Sequence, residues 1–347
     1  MDQRPRLSDV AAAVGVSPAS VSLVLRGAPG PSAETRERVL AAAAELGYRA
    51  DRTASLLARR RRHLLGVLLD VRNPFHAELV EEIQVEAEAA GYEVVLSTLT
   101  RARDEARAVE TLLDFRCEAL ILLGPDASES ELAALAAQVP CVVVGRSVRG
   151  AGVDVVRPAD DVGVDAALDH LINLGHTRIA FVDGGRGAVA SSRRRGYRRA
   201  MRRAGLTAHV LPGDHTEEGG IRAGRLIAAG PGRPTAVVAS NDRLAVGLMD
   251  AFVRAGLDVP GQISVVGYDD STLARLAHID LTTVNQDAPA QARNAVLAAV
   301  SRLDGGRTAA SEMVLVPHLV IRGSTAPEVN SLAATGRGPV SSSAQGH

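Results

Sequence analysis

LSDVAAAVGVSPASVSLVLR, Leu7 to Arg26, decides how the rest of the chain is read. Leu7, Val10, Ala11 and Val14 recur at helical spacing and predict a first helix with one buried stripe. Gly15 stands where that helix stops, because glycine takes the left-handed conformation at little steric cost. Ser17 has the chemistry of an N-cap, and Pro18 falls at the first helical position, where a missing N–H costs nothing. Val21, Val24 and Leu25 then form the inward stripe of a second helix. Pro18, Ala19, Ser20, Ser22, Leu23 and Arg26 are left facing outward or near its ends. A short helix with small, polar and basic outer residues, propped by another, has the shape that enters a DNA major groove.

The surrounding charge fits that shape. The chain has 347 residues and a net charge of −1, yet residues 1–62 carry eleven Arg against six acidic side chains, a balance of +5. A basic first segment on an acidic remainder points to a polyanionic partner for that segment. All 39 basic side chains are Arg, which a GC-rich codon bias explains without any binding role. Apolar residues make up 46%, a globular composition with room for two or three domains. Cys117 and Cys141 lie in or beside apolar runs, so no disulfide framework is expected and a reducing compartment is compatible. The N-terminus has no apolar signal core, and no apolar run approaches the ~18 residues of a membrane span. A soluble, cytoplasmic protein without membrane contact is therefore expected.

Residues 31–47, PSAETRERVLAAAAELG, predict a third helix capped by Ser32 and ended by Gly47. Val39, Ala42, Ala43 and Leu46 are its core candidates. Residues 50–58 read as a helix too short to be stable alone, followed by the basic run Arg59 to Arg62. From His63 the pattern changes. LLGVLLD, YEVVLST, ALILLG, CVVVG, RIAFVDG, TAVVAS and ISVVGYD are short apolar runs separated by helical segments at 76–90, 104–115, 129–138, 160–174, 191–204, 216–229 and 241–255. Such alternation predicts parallel sheets covered on both faces, too many strands for one sheet, and so two α/β lobes with a ligand site between them. The tail 324–347 is small, polar and aperiodic and is expected to be disordered.

Seven segments in this order resemble the LacI/GalR family of bacterial transcription regulators. They are DVAAAVGVSPASVSLVL, ETRERVLAAAAELGYRA, NPF at 73–75, LINLGHTRIAFV at 171–182, PTAVVASND at 234–242, VPGQISVVGYDD at 259–270 and LTTVNQD at 281–287. The resemblance spans about residues 6–323. It implies an all-α helix-turn-helix head over 1–49 and a hinge helix with basic linker over 50–62. It further implies a doubly wound, two-lobed, periplasmic-binding-protein-like α/β body over 63–323 that binds effector and dimerises. Lobe 1 would be about 63–160 and 288–318, and lobe 2 about 161–287.

By the same resemblance, Ser17, Ser20, Ser22, Ser32, Thr35 and Tyr48 match residues that touch phosphates. Pro18, Ala19 and Leu23 match residues that face base edges. No Arg, Asn or Gln stands at these three positions, so base readout there is apolar contact, as between Leu23 and a thymine methyl. In the hinge, Tyr48, Ala54 and Leu57 match the family pattern, and the leucine matching Leu57 wedges into a minor groove. Ala50, Asp51 and Ser55 depart from it. For effector, the resemblance implies Phe75 as a stacking ring, Arg193 as a clamp, and Asn241, Asp269 and Gln286 as polar lining. Gly145 stands where an Asp is typical, with Arg146 after it. An effector of sugar type follows, and an anionic one, a phosphorylated sugar or a carboxylate, would suit Arg146 with Arg193.

The pattern excludes other classes. There is no phosphate loop ending in Lys-Ser/Thr and no Lys at all, and the nine His show no metal-ligand spacing. No catalytic residue, metal or cofactor is expected. The predicted protein is a homodimeric repressor on a palindromic DNA operator, controlled by a small molecule.

Overall fold

The structure, a computed structural model, describes residues 5–48 and 61–328. The chain divides into two compact units, residues 1–62 and 63–347. In the first, α1 (Leu7–Val14) ends at Gly15, whose φ of 71° is the left-handed conformation expected of it. Ser17 caps α2 (Pro18–Leu25) by accepting the Ser20 N–H, and Ser32 caps α3 (Ala33–Glu45) by accepting the Thr35 N–H. The axes of α1 and α2 meet at 104°, within the helix-turn-helix range. Val10, Ala11, Val14, Val21, Val24, Val39 and Ala43 form the core of this unit.

One expectation fails at its margin. Leu46 is 40% exposed, whereas Leu7, Leu25 and Ala42 are partly buried and pack on the core as expected. The helix ends at Glu45, so Leu46 is a capping residue turned off the stripe, and Tyr48 packs on the core in its place. The basic balance is also partly internal. Arg38 donates to the Val14 carbonyl at 2.7 Å, and Arg36 donates to Val24 and Ala28 carbonyls at 3.3 and 2.8 Å. Both satisfy carbonyls left open where α1 and α2 end.

The second unit holds two six-stranded sheets. In order of strands they are β1 (Leu64–Asp70), β2 (Glu93–Leu99), β3 (Ala119–Leu123), β4 (Cys141–Val144), β5 (Asp154–Pro158), β6 (Ile179–Val182), β7 (His209–Leu211), β8 (Ala236–Ala239), β9 (Ser264–Asp269), β10 (Thr282–Asn285), β11 (Glu312–Leu315) and β12 (His318–Val320). The first sheet runs β11-β5-β4-β3-β1-β2 and the second β12-β10-β9-β8-β6-β7. Every pairing is parallel except β10 with β12. The helices are α4 (Pro74–Ala89), α5 (Glu105–Asp114), α6 (Glu129–Ala136), α7 (Asp160–Asn173), α8 (Ala188–Arg203), α9 (Glu217–Ala229), α10 (Asp242–Arg254) and α11 (Ala288–Leu303). The chain passes between lobes three times, after β5, after β10 and between β11 and β12. Thus α11 fills the first lobe's core with Ala292, Ala295 and Ala299, although it follows the whole of the second.

The expected disordered tail is corrected at its start. Ser324 is buried, donates to the Val265 carbonyl at 2.6 Å and accepts from the Thr282 N–H at 2.8 Å. Ala326 and Glu328 bond onward to Ser264 and Leu174, so residues 324–328 belong to the second lobe. The rest of that tail, and residues 50–60 of the expected hinge, lie outside the described residues.

Candidate functional site

The carboxyl ends of the strands in both lobes converge on one cavity of about 290 Å³. In open α/β sheets this is where ligands sit. NPF supplies its first corner. Asn73 caps α4 by accepting the Phe75 N–H at 3.1 Å, Pro74 takes the first helical position, and Phe75 is thereby turned inward. The other lobe supplies Arg193 from α8, Asn241 at the cap of α10, Asp269 at the end of β9 and Gln286 after β10. Arg146 follows β4. All six residues singled out for effector binding line this one cavity.

Their surroundings decide what each can offer. Arg193 is 4% exposed. It donates to Asp160 at 3.0 Å and to the Ser240 carbonyl at 2.6 Å, lies 3.6 Å from Asp269, and sits 3.6 Å over the centre of the Tyr268 ring. Burial disfavours its charge, but Asp160, Tyr268 and Asp269 outweigh that and keep it protonated. Its charge is thus already balanced within the protein, which a free clamp on an anion would not be. Gln286 donates to Asp269 at 2.6 Å, and Asn241 accepts the Leu244 N–H at 3.1 Å. Arg146 donates to the Ala127 carbonyl at 2.5 Å, while its Nε is buried without a partner. Asp269 (φ 130°) lines the cavity, and Asp270 (φ 54°) beside it and Asp287 (φ 55°), next to the lining Gln286, also hold positive backbone angles. Each costs about 1–3 kcal/mol, and such strain gathers where a site must be held in shape.

Several lining residues carry no periodic signal and were missed. His76 accepts the Asp70 N–H on Nδ1 at 3.1 Å, so its Nε2 carries the proton and is a donor. His215 faces Ser240 Oγ at 3.2 Å. Burial pushes both rings down to about 4, so both are neutral at pH 7. Arg72 pairs with Asp70 and Arg243 with Glu217. Arg186 lines the cavity with no hydrogen bond or ion pair among the described residues. NPFH was the one available signal, because the cap that turns Phe75 inward also places His76.

The two rings predict an acid sensitivity. Their folded-state values lie below the usual 6.5, so the stability they contribute is present above that pH and lost as pH falls toward 4. Each ring accounts for about 3 kcal/mol across that window. Asp242 acts in the opposite sense, since burial pushes it up to about 6 against hydrogen bonds from Thr283 and Ser271. Urea unfolding of the intact protein and of His76→Gln at pH 7.5, 5.5 and 4.5 separates the two. The variant is expected to lose less stability on acidification, and parallel profiles would remove His76 from this account.

In the head, Ser17, Pro18, Ala19 and Arg26 are exposed, and Ser20, Ser22 and Leu23 are half-buried on the same unit. Ser17 and Ser20 hydroxyls lie 2.9 Å apart, as do those of Ser32 and Thr35. Each pair uses one hydroxyl proton between its members and leaves one to donate elsewhere. Tyr48 is half-buried against the head's core. Ala54 and Leu57 lie outside the described residues.

Comparison with known proteins bears on both units. Residues 6–51 match the profile of bacterial regulatory proteins of the lacI family, and residues 168–325 that of a periplasmic binding protein-like domain. The chain is 36% identical to the HTH-type transcriptional regulator MalR of Streptomyces coelicolor, over 92% of this chain and 96% of that protein. The chain belongs to the lacI family. This regulator is also 33% identical to the ribose operon repressor of Escherichia coli, over 92% of its length and 99% of that repressor's. A solved lac repressor dimer bound to operator shares 30% identity at a TM-score of 0.80, covering 93% of this chain and all of that one. The regulator is therefore a DNA-binding transcription factor with a helix-turn-helix head and a two-lobed, periplasmic-binding-protein-like body. Its relatives are regulators, not enzymes. Among its described residues no single helix is long and apolar enough to cross a membrane, and no group of three or more His, Cys, Asp or Glu could hold a metal ion.

Proposed function

We propose that the regulator represses transcription as a homodimer on a palindromic operator, and that a neutral sugar bound in the interlobe cavity sets its affinity for DNA. The observation that carries this reading is the convergence of Phe75, Arg193, Asn241, Asp269 and Gln286 on one cavity between the lobes. A sugar asks for many fixed donors and acceptors and one apolar face. The cavity offers His76 Nε2–H, the Asn241 and Gln286 amides, the Asp126 carboxylate, the Asp269 carboxyl, which burial pushes well above its usual value, and the ring of Phe75. The anionic alternative is the weaker one. Arg72, Arg193 and Arg243 each have an internal carboxylate partner, which leaves Arg146 and Arg186 as the lining arginines without one among the described residues. The similarity to a ribose operon repressor supports a sugar as well.

For DNA, the free hydroxyl protons at the Ser17/Ser20 and Ser32/Thr35 caps stand at two helix N-termini, where backbone amides also attract phosphate. Ser22, Arg26 and Tyr48 extend that backbone contact. Pro18, Ala19 and Leu23 face the bases, and Ala54 and Leu57 complete the interface from the hinge. Dimerisation is supported by exposed apolar side chains on α4, β2, α9 and α10, namely Val85, Leu96, Leu226 and Val253, and by the dimeric lac repressor. A sedimenting mass near the single-chain 36.1 kDa at micromolar concentration would sink the dimer.

Selection from a random duplex pool, with and without a panel of neutral pentoses, hexoses and disaccharides, tests the whole reading. A palindrome is expected, with affinity shifted by one of the neutral sugars. Calorimetry in which a phosphorylated sugar binds and every neutral one fails would favour the anionic effector instead. Leu23→Arg is expected to return a different half-site, since Arg brings bidentate donors to guanine worth about 1–3 kcal/mol per base pair. The same half-site from both proteins would take Leu23 out of base readout.

A further inference from the structure

Helix α8 reads AVASSRRRGYRRAMRR and holds seven arginines. Four have carboxylate partners. Arg193 meets Asp160 and Asp269, Arg194 meets Asp183, and Arg199 and Arg203 bridge to Asp161, Asp165 and Asp169 on α7. Arg195, Arg198 and Arg202 remain, all exposed, with no hydrogen bond or ion pair among the described residues. They stand at i, i+3 and i+7, one helix face, spanning about 10 Å. Like charges so placed repel, by about 0.2–0.5 kcal/mol per neighbouring pair. The helix dipole favours Arg202 in the last turn but offers nothing to Arg195 or Arg198.

This face forms one wall of an open groove of about 590 Å³, whose other wall carries Ser147 and Arg157 of the first lobe. The groove shares no lining residue with the effector cavity. Arg157 is tied to Glu312 at 2.6 Å and Arg199 to Asp161 at 3.2 Å, so three guanidinium charges are left over. Ser147 and Ser192 add hydroxyl donors, and no aromatic side chain lines it. Guanidinium forks match phosphate oxygens in pairs. The volume is that of a small-molecule site.

We infer that this groove is a second ligand site, for a molecule bearing two or more contiguous phosphates, held by Arg195, Arg198 and Arg202. The ligand touches α8 of one lobe and Ser147 with Arg157 of the other. Its binding therefore favours one arrangement of the lobes and couples to effector binding through that preference. The inference does not depend on which effector fills the central cavity.

Calorimetric titration of the full chain with tripolyphosphate at about 0.15 M salt tests it. Saturable binding is expected in the wild type, weakened roughly tenfold or more in Arg198→Gln/Arg202→Gln and less in Arg195→Gln. Circular dichroism melts show whether the double variant is folded; if it is not, the single Arg195→Gln variant decides, since its side chain is exposed and unpaired. Adenosine triphosphate forms the second arm. Affinity equal to tripolyphosphate assigns recognition to the phosphate chain, and tighter binding that is still lost in the variants adds the nucleoside. No binding in the wild type, or equal binding in wild type and variants, as when the basic head is the true acceptor, overturns the inference.

Discussion

Arg193→Ala is expected to destabilise the body by about 3–5 kcal/mol, because it leaves Asp160 and Asp269 buried without their counter-charge. The loss includes the contact over the Tyr268 ring and the bond to the Ser240 carbonyl. Its pH dependence has a definite sign. Burial already pushes the Asp269 carboxyl well above its usual value, the Arg193 charge opposes that, and losing the guanidinium raises it further in the folded protein. Such a group lends stability at low pH and loses it as pH rises. The deficit should therefore grow from pH 5 to pH 8 in urea unfolding. A small, pH-independent deficit would mean that the arginine is a ligand clamp with little structural burden. Binding of a neutral sugar should also weaken, since Asp269 loses one of the groups that fix it.

Val21→Asp is expected to abolish specific operator binding while leaving the body intact. Val21 has no exposure, in a core of seven buried side chains among the described residues, and an ionised carboxylate has no partner among them there. A unit this small has little stability to lose. Operator affinity should fall to the non-specific level, a loss of at least about 10³-fold. The melt of the body and the calorimetric affinity for effector should match the wild type. Undiminished operator affinity would show that the α1–α3 core does not present the DNA-contacting face.

Much of this architecture is legible from residues whose local chemistry is strong. Gly15, Ser17, Pro18 and Ser32 each do at short range what their side chains dictate, and the structure places caps and a left-handed stop there. The long apolar strands are equally plain, since a strand buried on both faces needs no alternation. Less visible are β7, β11 and β12, three or four residues long and at or near sheet edges, where half-exposed sequence resembles loop. Helix α11 hides for a different reason, because alanines at its inner face give little contrast in hydropathy. Leu46 misled because a stripe continues in sequence after the helix has ended. In the cavity, the six expected residues came from likeness to a family pattern. Local rules reach His76 only through the Asn73 cap, and His215, Asp126 and Arg186 not at all, because a lone polar residue carries no period. Nor does any local rule announce that Arg193 is matched internally, since Asp160 and Asp269 are distant in sequence.

The threefold passage of the chain between lobes bears on how the protein is made. During synthesis the strands of the first lobe leave the ribosome early, yet its interior lacks Ala292, Ala295, Val296 and Ala299 until α11 emerges, more than a hundred residues after β5. Asp154 waits longer still. It is fully buried in the finished protein, and its guanidinium partners are Arg302 and Arg307, 148 and 153 residues downstream. A nascent chain halted before residue 288 would thus display an incomplete hydrophobic layer and a solvated carboxylate destined for burial. Such intermediates are prone to aggregate. The first lobe therefore needs shielding in the cell until α11 arrives.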